Sequence, residues 1–234
     1  MIEKQQHETY LVISKNKFII YLLDTINFVN LYKQEIKFEN KNHSIDFNIL
    51  NQFIGDNIFK IEKLVGEFIK NIFIVLEHNE GTNITIGIKK KNFQKVITKE
   101  AVENSLIDVK DLFKENYQEK KIMHIIVNRY LINNKIYDSL NENLNSDHFC
   151  MEIEFKSLSA NFASEMNKIL GKYQIKIIKF IDGSYIKSFF LDERIEFSEK
   201  AHKINNGYNP NEVMVVPINP KKSGFFEKFF QLFS

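Results

Sequence analysis

The sequence predicts a mixed α/β protein, and three observations carry that prediction. Short runs rich in Ile, Val, Phe and Tyr alternate along the chain with segments whose apolar residues recur three or four apart. The compact apolar run Asn71 to Glu77 has the length of a strand and no polar face, as expected of a strand covered on both sides. With 234 residues, 44% hydrophobic and 26% charged, the chain is long enough for one large domain or two small ones around a hydrophobic core.

Taken in order, Tyr10 to Ile13, Phe18 to Leu23 and Asn30 to Phe38 read as three strands with Asn and Lys at the turns. From Ser44 the period changes. Ile45, Ile49, Phe53, Ile54, Ile58, Ile61, Leu64, Val65 and Phe68 define an amphipathic helix. After the strand Asn71 to Glu77, a turn at Glu80-Gly81 leads into a strand from Asn83 to Lys89. Thr98 caps a helix with Val102, Leu106, Val109, Leu112 and Phe113 inward. Lys121 to Leu131 and Phe149 to Leu158 are strands around a polar loop, Asp138 to Asp147. Ser159 caps a helix bearing Phe162, Met166, Ile169 and Leu170, with Gly171 near its end. Gln174 to Ile181 is a strand and Ser184 to Leu191 a short helix. After Phe197 the apolar periodicity fades, and His202 to Pro220 reads as a tether that could add one strand around Val213 to Val216.

Composition excludes several functions. A net charge of +2 gives no push toward nucleic acid. One cysteine, Cys150, allows neither an intramolecular disulfide framework nor a Cys-based zinc site, and fits a reducing compartment. The polar opening Met1-Ile2-Glu3-Lys4-Gln5-Gln6-His7-Glu8 does not read as a signal peptide, and the longest apolar runs fall well short of the roughly 20 residues a membrane-spanning helix needs. The expected location is cytoplasmic.

The search for chemistry predicts no enzyme, no cofactor and no metal. Eight scattered glycines supply no phosphate-cradling loop, because such loops need backbone N–H groups brought close to the phosphate at several Gly positions. His148 and Cys150 stand two apart and share a face of a strand. That is the spacing of an activated thiolate, but no third orienting group accompanies them, and the pair reads as packing. His124, between Met123 and Ile125, reads as a satisfied core or edge histidine. Asp182-Gly183-Ser184 reads as a strand-to-helix turn with a Ser cap, and Lys89-Lys90-Lys91 with Phe93 as a solvated hairpin tip.

The last ten residues carry five phenylalanines. On a helical wheel at about 100° per residue, Phe225, Phe226, Phe229, Phe230, Leu232 and Phe233 fall within an arc of about 160°. Glu227, Lys228, Gln231 and Ser234 fill the remainder. Lys221, Lys222 and Lys228 are placed to meet anionic headgroups, each worth about 1 kcal/mol there. The segment either docks on its own domain or lies in a membrane surface. The long polar tether before it favours the membrane, with weak affinity that a second signal or self-association would make stable.

The strings Val96-Ile97-Thr98-Lys99-Glu100-Ala101-Val102-Glu103-Asn104, Ile122-Met123-His124-Ile125-Ile126-Val127 and Tyr130-Leu131-Ile132-Asn133 resemble those of the bacterial actin-like cell-division protein FtsA. The resemblance covers the element order of residues 8–192 and is specific over residues 95–180. It implies half of an actin-like (ribonuclease H-like) fold: an actin-like subdomain at 8–80 and 158–195, and an inserted strand-helix-strand-strand α+β subdomain at 81–157. A flexible tether at 196–222 and an amphipathic membrane-targeting helix at 223–234 complete the expected organisation. The chain departs from the family where nucleotide is held. Ser14-Lys15-Asn16-Lys17 stands at the first phosphate loop with neither Asp nor Gly, and the second, nucleotide-binding lobe has no counterpart after Leu191. In the family that lobe provides the main docking surface for tubulin-like FtsZ and one half of the polymer interface, so the departure weighs against both roles.

The expected function is therefore a non-enzymatic, membrane-associated adaptor of the bacterial cell-division machinery, with the inner face of the cytoplasmic membrane and division proteins as partners. The alternatives are a generic peripheral membrane scaffold related to actin-like pilus-assembly proteins, and a small enzyme using His148 and Cys150.

Overall fold

The computed structural model describes residues 6–39, 45–77, 81–140, 144–192 and 194–213. The chain divides into two compact units. Among the described residues, the first is built from those up to Gly81 and from Asn161 to Asn205, the second from Thr82 to Ala160 and from Asn206 to Val213.

The first unit is mixed α/β. Its sheet is formed by β1 (His7–Ser14), β2 (Lys17–Asp24), β3 (Val29–Lys37), β4 (Asn71–Glu77) and β9 (Lys176–Asp182), in the order β3-β2-β1-β4-β9. β1, β2 and β3 form an antiparallel meander, while β1, β4 and β9 run parallel. This is the half-actin, ribonuclease H-like arrangement that the resemblance implies. Tyr10 to Ile13 and Phe18 to Leu23 are buried throughout rather than on alternate positions, because both faces of the sheet are covered. Helix α1 (Phe47–Val65) covers one face, where Phe53 lies 6.2 Å from the Phe18 ring and the Tyr32 hydroxyl donates to Asn57 Oδ1 at 2.6 Å. Helix α3 (Ala160–Gly171) packs beside it through the rings of Phe162 and Phe47.

Asp46 caps α1, its carboxylate accepting from the N–H groups of Asn48 and Ile49 at 2.9 and 3.1 Å. The helix ends at Gly66, whose φ of 76° is left-handed and whose N–H donates to the Glu62 carbonyl. This end leaves Leu64 54% and Phe68 79% exposed, so the apolar face stops short of the Phe68 that periodicity had included.

The opposite face carries a correction to the expected tether. Residues 197–205 form helix α5 (Phe197–Asn205), with Ala201 and Ile204 fully buried. Its docking is mostly polar. Ser198 Oγ donates to Asn30 Oδ1 at 2.7 Å, His202 Nδ1 meets Glu8 Oε2 at 2.7 Å, and Lys33 pairs with Glu196 at 2.7 Å. A helix held by polar partners, with one of its three apolar residues, Phe197, only half-buried, leaves little for periodicity to detect. Helix α4 (Gly183–Phe189) follows β9 directly.

The second unit is an antiparallel sheet backed by one helix. Its strands are β5 (Gly81–Val96), β6 (Lys120–Ile132), β7 (Lys135–Tyr137) and β8 (Asn145–Ser159), in the order β5-β8-β6-β7. Helix α2 (Lys99–Asn116) is capped by Thr98, as the sequence predicts. It packs Val102, Leu106, Val109 and Phe113 against Phe149, Met151, Ile153 and Phe155, with Phe113 stacked on Phe155 at 4.5 Å. Leu112, expected inward, is 45% exposed. The expected Lys89-Lys90-Lys91 hairpin tip is strand: β5 runs through it to Val96, with Phe93 and Gln94 at positive φ. A second part of the expected tether is also ordered. Glu212 bridges Ile126 antiparallel, the Val213 N–H donates to Ile125 O, and the Val127 N–H donates to Asn211 O, so residues 211–213 add to the free edge of β6.

Ile54 is fully buried in α1, whereas Phe59 on the same helix is 71% exposed. Denaturant unfolding of Ile54→Ala will therefore show a loss of about 2–5 kcal/mol, and Phe59→Ala will fall within about 0.5 kcal/mol of the parent.

Candidate functional site

In sheets with parallel strands, ligands bind beyond the carboxyl ends of those strands, so the ends of β1, β4 and β9 are where a site would be built. Register sets three polar residues there: Ser14 pairs with Glu77, and Leu76 with Asp182. Ser14 Oγ donates to Glu77 Oε2 at 2.7 Å, and Lys187 of α4 forms an ion pair with the other oxygen, Glu77 Oε1. Asp182 caps α4, accepting from the Tyr185 N–H at 2.8 Å and from the Ser184 hydroxyl. The cap at this turn is therefore Asp182 and not Ser184. Gly183 is required by close approach, since a Cβ there would lie 2.8 Å from the Leu76 carbonyl oxygen and 2.7 Å from Glu77 Cγ.

Electrostatics matches this geometry. Burial by itself would raise the Glu77 pKa, but hydrogen bonds from Lys187 and Ser14 and the charges of Lys187 and Lys17 outweigh it and hold the carboxyl below the usual glutamate range. Tyr21, in the same unit, is pushed well above its ordinary value by burial and then by Glu196, Glu35 and Glu77. The turn between β1 and β2, Lys15-Asn16, offers no glycine at which a phosphate could approach backbone N–H groups. Polar groups at the strand ends are thus occupied by one another, an arrangement that ties β1, β4, β9 and α4 together rather than presenting an open nucleophile or base.

In the second unit His148 Nδ1 lies 2.8 Å from Asp147 Oδ2, while Cys150 sits farther along the same face of β8. Cys150 lines a shallow hollow of about 490 Å³ with Gly87, Leu131 and Ile136, rimmed by the Arg129–Glu152 ion pair. His124 and Glu212 face each other with Nδ1 to Oε1 at 2.7 Å and no side-chain exposure on either. His124 is thus a satisfied buried histidine, as its apolar neighbours predict, and its partner comes from the stretch expected to be tether. Among the described residues, no three of His, Cys, Asp and Glu are grouped to hold a metal, and no helix is long and apolar enough to cross a membrane. The sequence-predicted membrane residues Lys221, Lys222, Phe225, Phe226, Lys228, Phe229, Phe230, Leu232 and Phe233 lie outside the described residues.

Sequence reasoning missed Glu77, Lys187 and Glu212. For Glu77 the signal was present: Asn71-Ile72-Phe73-Ile74-Val75-Leu76-Glu77 ends an otherwise apolar strand on a carboxylate, as Ser14 and Asp182 end theirs on polar groups. Glu212 carries no local signal, since its partner is 88 residues away.

No family model and no curated protein matches the chain. Solved structures do. A PilM–PilN type IV pilus biogenesis complex aligns with TM-score 0.47 and 9% identity, over 80% of this chain and 50% of that one. The cytoplasmic domain of EpsL, an inner membrane component of the type II secretion system of Vibrio cholerae, aligns with TM-score 0.39 and 8% identity, over 77% and 58%. A Bacteroides thetaiotaomicron protein with an actin-like ATPase fold aligns with TM-score 0.32 and 16% identity, over 81% and 58%. The chain spans between half and three-fifths of the length of these structures.

Two predictions follow from this geometry. Because the folded Glu77 pKa is depressed, its contribution to stability is present above the ordinary glutamate pKa and is lost as pH falls through the folded value. Thermal unfolding of Glu77→Gln will lack that acid-side loss, and an unchanged pH profile would refute the assignment. Truncating Glu212→Ala leaves buried His124 without this partner, at a cost of about 1–3 kcal/mol. Hydrogen exchange at the Val127 and Val213 amides, which join residues 211–213 to β6, will then accelerate more than exchange in β1.

Proposed function

We propose that the chain is a non-enzymatic adaptor that holds protein partners at the inner face of the bacterial cytoplasmic membrane, in the manner of a reduced FtsA, and that its partners belong to the division machinery. The observation that carries this reading is the complete segregation of Phe225, Phe226, Phe229, Phe230, Leu232 and Phe233 from the polar residues of the same segment. The division role rests on the motif strings between Val96 and Asn133, which run from the end of β5 into the start of α2 and then along β6 to the residue after it. A non-catalytic role is supported by the strand ends of the first unit, where Ser14, Glu77, Lys187 and Asp182 are engaged with one another or with the start of α4.

The chemistry of attachment is modest by design. Each fully buried phenylalanine is worth roughly 1.5–3 kcal/mol. Five partly sunk rings must offset the ordering of about ten residues at 1–2 kcal/mol each. A single tail therefore binds reversibly, and attachment becomes stable only with a second contact.

Flotation with vesicles containing anionic lipid tests the anchor. The parent chain will float and Phe229→Glu will stay in the soluble fraction with an unchanged circular dichroism spectrum, while flotation of that variant would refute the membrane reading. An N-terminal fluorophore fusion tests the division role. A band at mid-cell that becomes diffuse on removal of residues 223–234 is the expected result, and an even rim would replace the division role with that of a general membrane scaffold.

A further inference from the structure

β3 is the end strand of the first unit's sheet, so alternate backbone N–H and C=O groups along it point away from β2. Among the described residues no strand pairs with that side. Exposed edges of this kind are templates for pairing with another chain, and proteins guard them with charge. The other outer strands follow the rule: β9 carries Lys176, and β5 carries Lys89, Lys90, Lys91 and Lys95. β3 carries Lys33, Glu35 and Lys37 in its second half, but the stretch leading into them is unguarded. From Thr25 to Tyr32 no residue is charged, and Ile26, Phe28, Val29 and Leu31 are 64, 42, 56 and 48% exposed. Four large apolar side chains are thus exposed within six consecutive residues, Ile26 and Phe28 in the turn before β3 and Val29 and Leu31 on it, with the Phe28 ring against His202 of α5.

We propose that this edge is an interface strand whose partner is β3 of a second copy of the chain, added antiparallel about a two-fold axis at Gln34, so that two five-stranded sheets become one continuous sheet. The sequence of β3 is self-complementary in that register. Lys33 faces Glu35 of the second copy and Glu35 faces its Lys33, giving two opposite-charge cross-strand pairs. Tyr32 faces Ile36 twice, and Leu31 meets the aliphatic stem of Lys37. Neighbouring registers are disfavoured by charge. Moving the axis to Lys33 sets Lys33 against itself, and moving it to Glu35 sets Glu35 against itself and Lys33 against Lys37. The pairs these residues make within the chain, Lys33 with Glu196 and Glu35 with Lys37 and Lys17, are solvent-accessible and can share their partners. Resting on the proposed membrane role, the same pairing brings two tails to one surface, the second contact that stable attachment requires.

Sedimentation equilibrium of the full chain without lipid, from micromolar to millimolar concentration, tests the interface. The parent will show a monomer–dimer equilibrium. Lys33→Glu and Glu35→Lys will each weaken it by about tenfold, since each turns two attractive pairs into like-charge pairs. The double variant K33E/E35K will restore it, with circular dichroism confirming that all three fold. A monomeric parent would overturn the proposal, and so would association that survives both single substitutions, because that would come from the tail. Vesicle flotation is read separately: Phe229→Glu abolishes it and leaves the dimer intact, so failure of the membrane reading and failure of the interface are distinguishable.

Discussion

The carboxylate of Glu77 is the point on which the first unit's architecture turns. Three parallel strands, β1, β4 and β9, end side by side, and their register places a charged group at the end of a strand whose other side chains are packed in the core. A half-buried carboxylate without partners would be driven toward its neutral form. Here it is satisfied from two directions, by the Ser14 hydroxyl on β1 and by Lys187 on α4. Lys187 reaches it because α4 begins directly at the end of β9, and α4 can begin there because Asp182 caps it and Gly183 lets it pass within contact of the β4 carbonyl. One charge thus fixes the junction of three strands and a helix. In this chain protein side chains close that junction.

The parts legible in the sequence are those where apolar pattern alone decides. β1, β2 and β4 declared themselves as unbroken apolar runs, because both faces are covered and no polar alternation is left to obscure them. α1 and α2 declared themselves by spacing, and α2 by Thr98 as well. What the sequence hid was polar or distant. α5 is docked by Ser198, His202 and Glu196 against Asn30, Glu8 and Lys33, contacts that contribute nothing to a hydrophobic period. β5 continues through Lys89-Lys90-Lys91 because Ile84, Ile86 and Ile88 keep one of its faces against the core, while Lys90 finds Asp108 at 2.5 Å. Alternation was visible there, but three consecutive lysines read more readily as a tip. At the candidate site, Ser14 and Asp182 were visible as strand ends, whereas the pairing of Glu77 with Lys187 depends on residues 110 apart that only the fold brings together.

The pinning of residues 211–213 to β6 changes what the tail can do. The expected tether began at residue 196, but α5 and the bridge at Glu212 hold the chain to within one residue of Met214. The stretch from 214 to 224 that precedes the first tail phenylalanine can span at most roughly 40 Å, whatever its conformation. A short lead of that kind keeps the second unit close to any surface the tail engages. It also raises the local concentration of whatever that unit binds, since effective concentration falls steeply with linker length.

The proposed attachment through a single tail and the exposed apolar start of β3 each look like a defect alone. A reversible anchor holds a monomer poorly, and an apolar strand edge invites pairing. Taken together, the two proposed interactions would make membrane residence depend on concentration. When two copies pair through β3, binding of one tail makes binding of the other intramolecular, and residence lengthens by a factor of roughly 10² or more without any new lipid contact. When they separate, each copy returns to the single-tail regime. The charge pattern Lys33-Gln34-Glu35 gives that pairing one preferred register and no surplus of apolar contact, which keeps it reversible. On the proposed adaptor reading, gathering where partners are dense and dispersing where they are not requires both interactions to be individually weak.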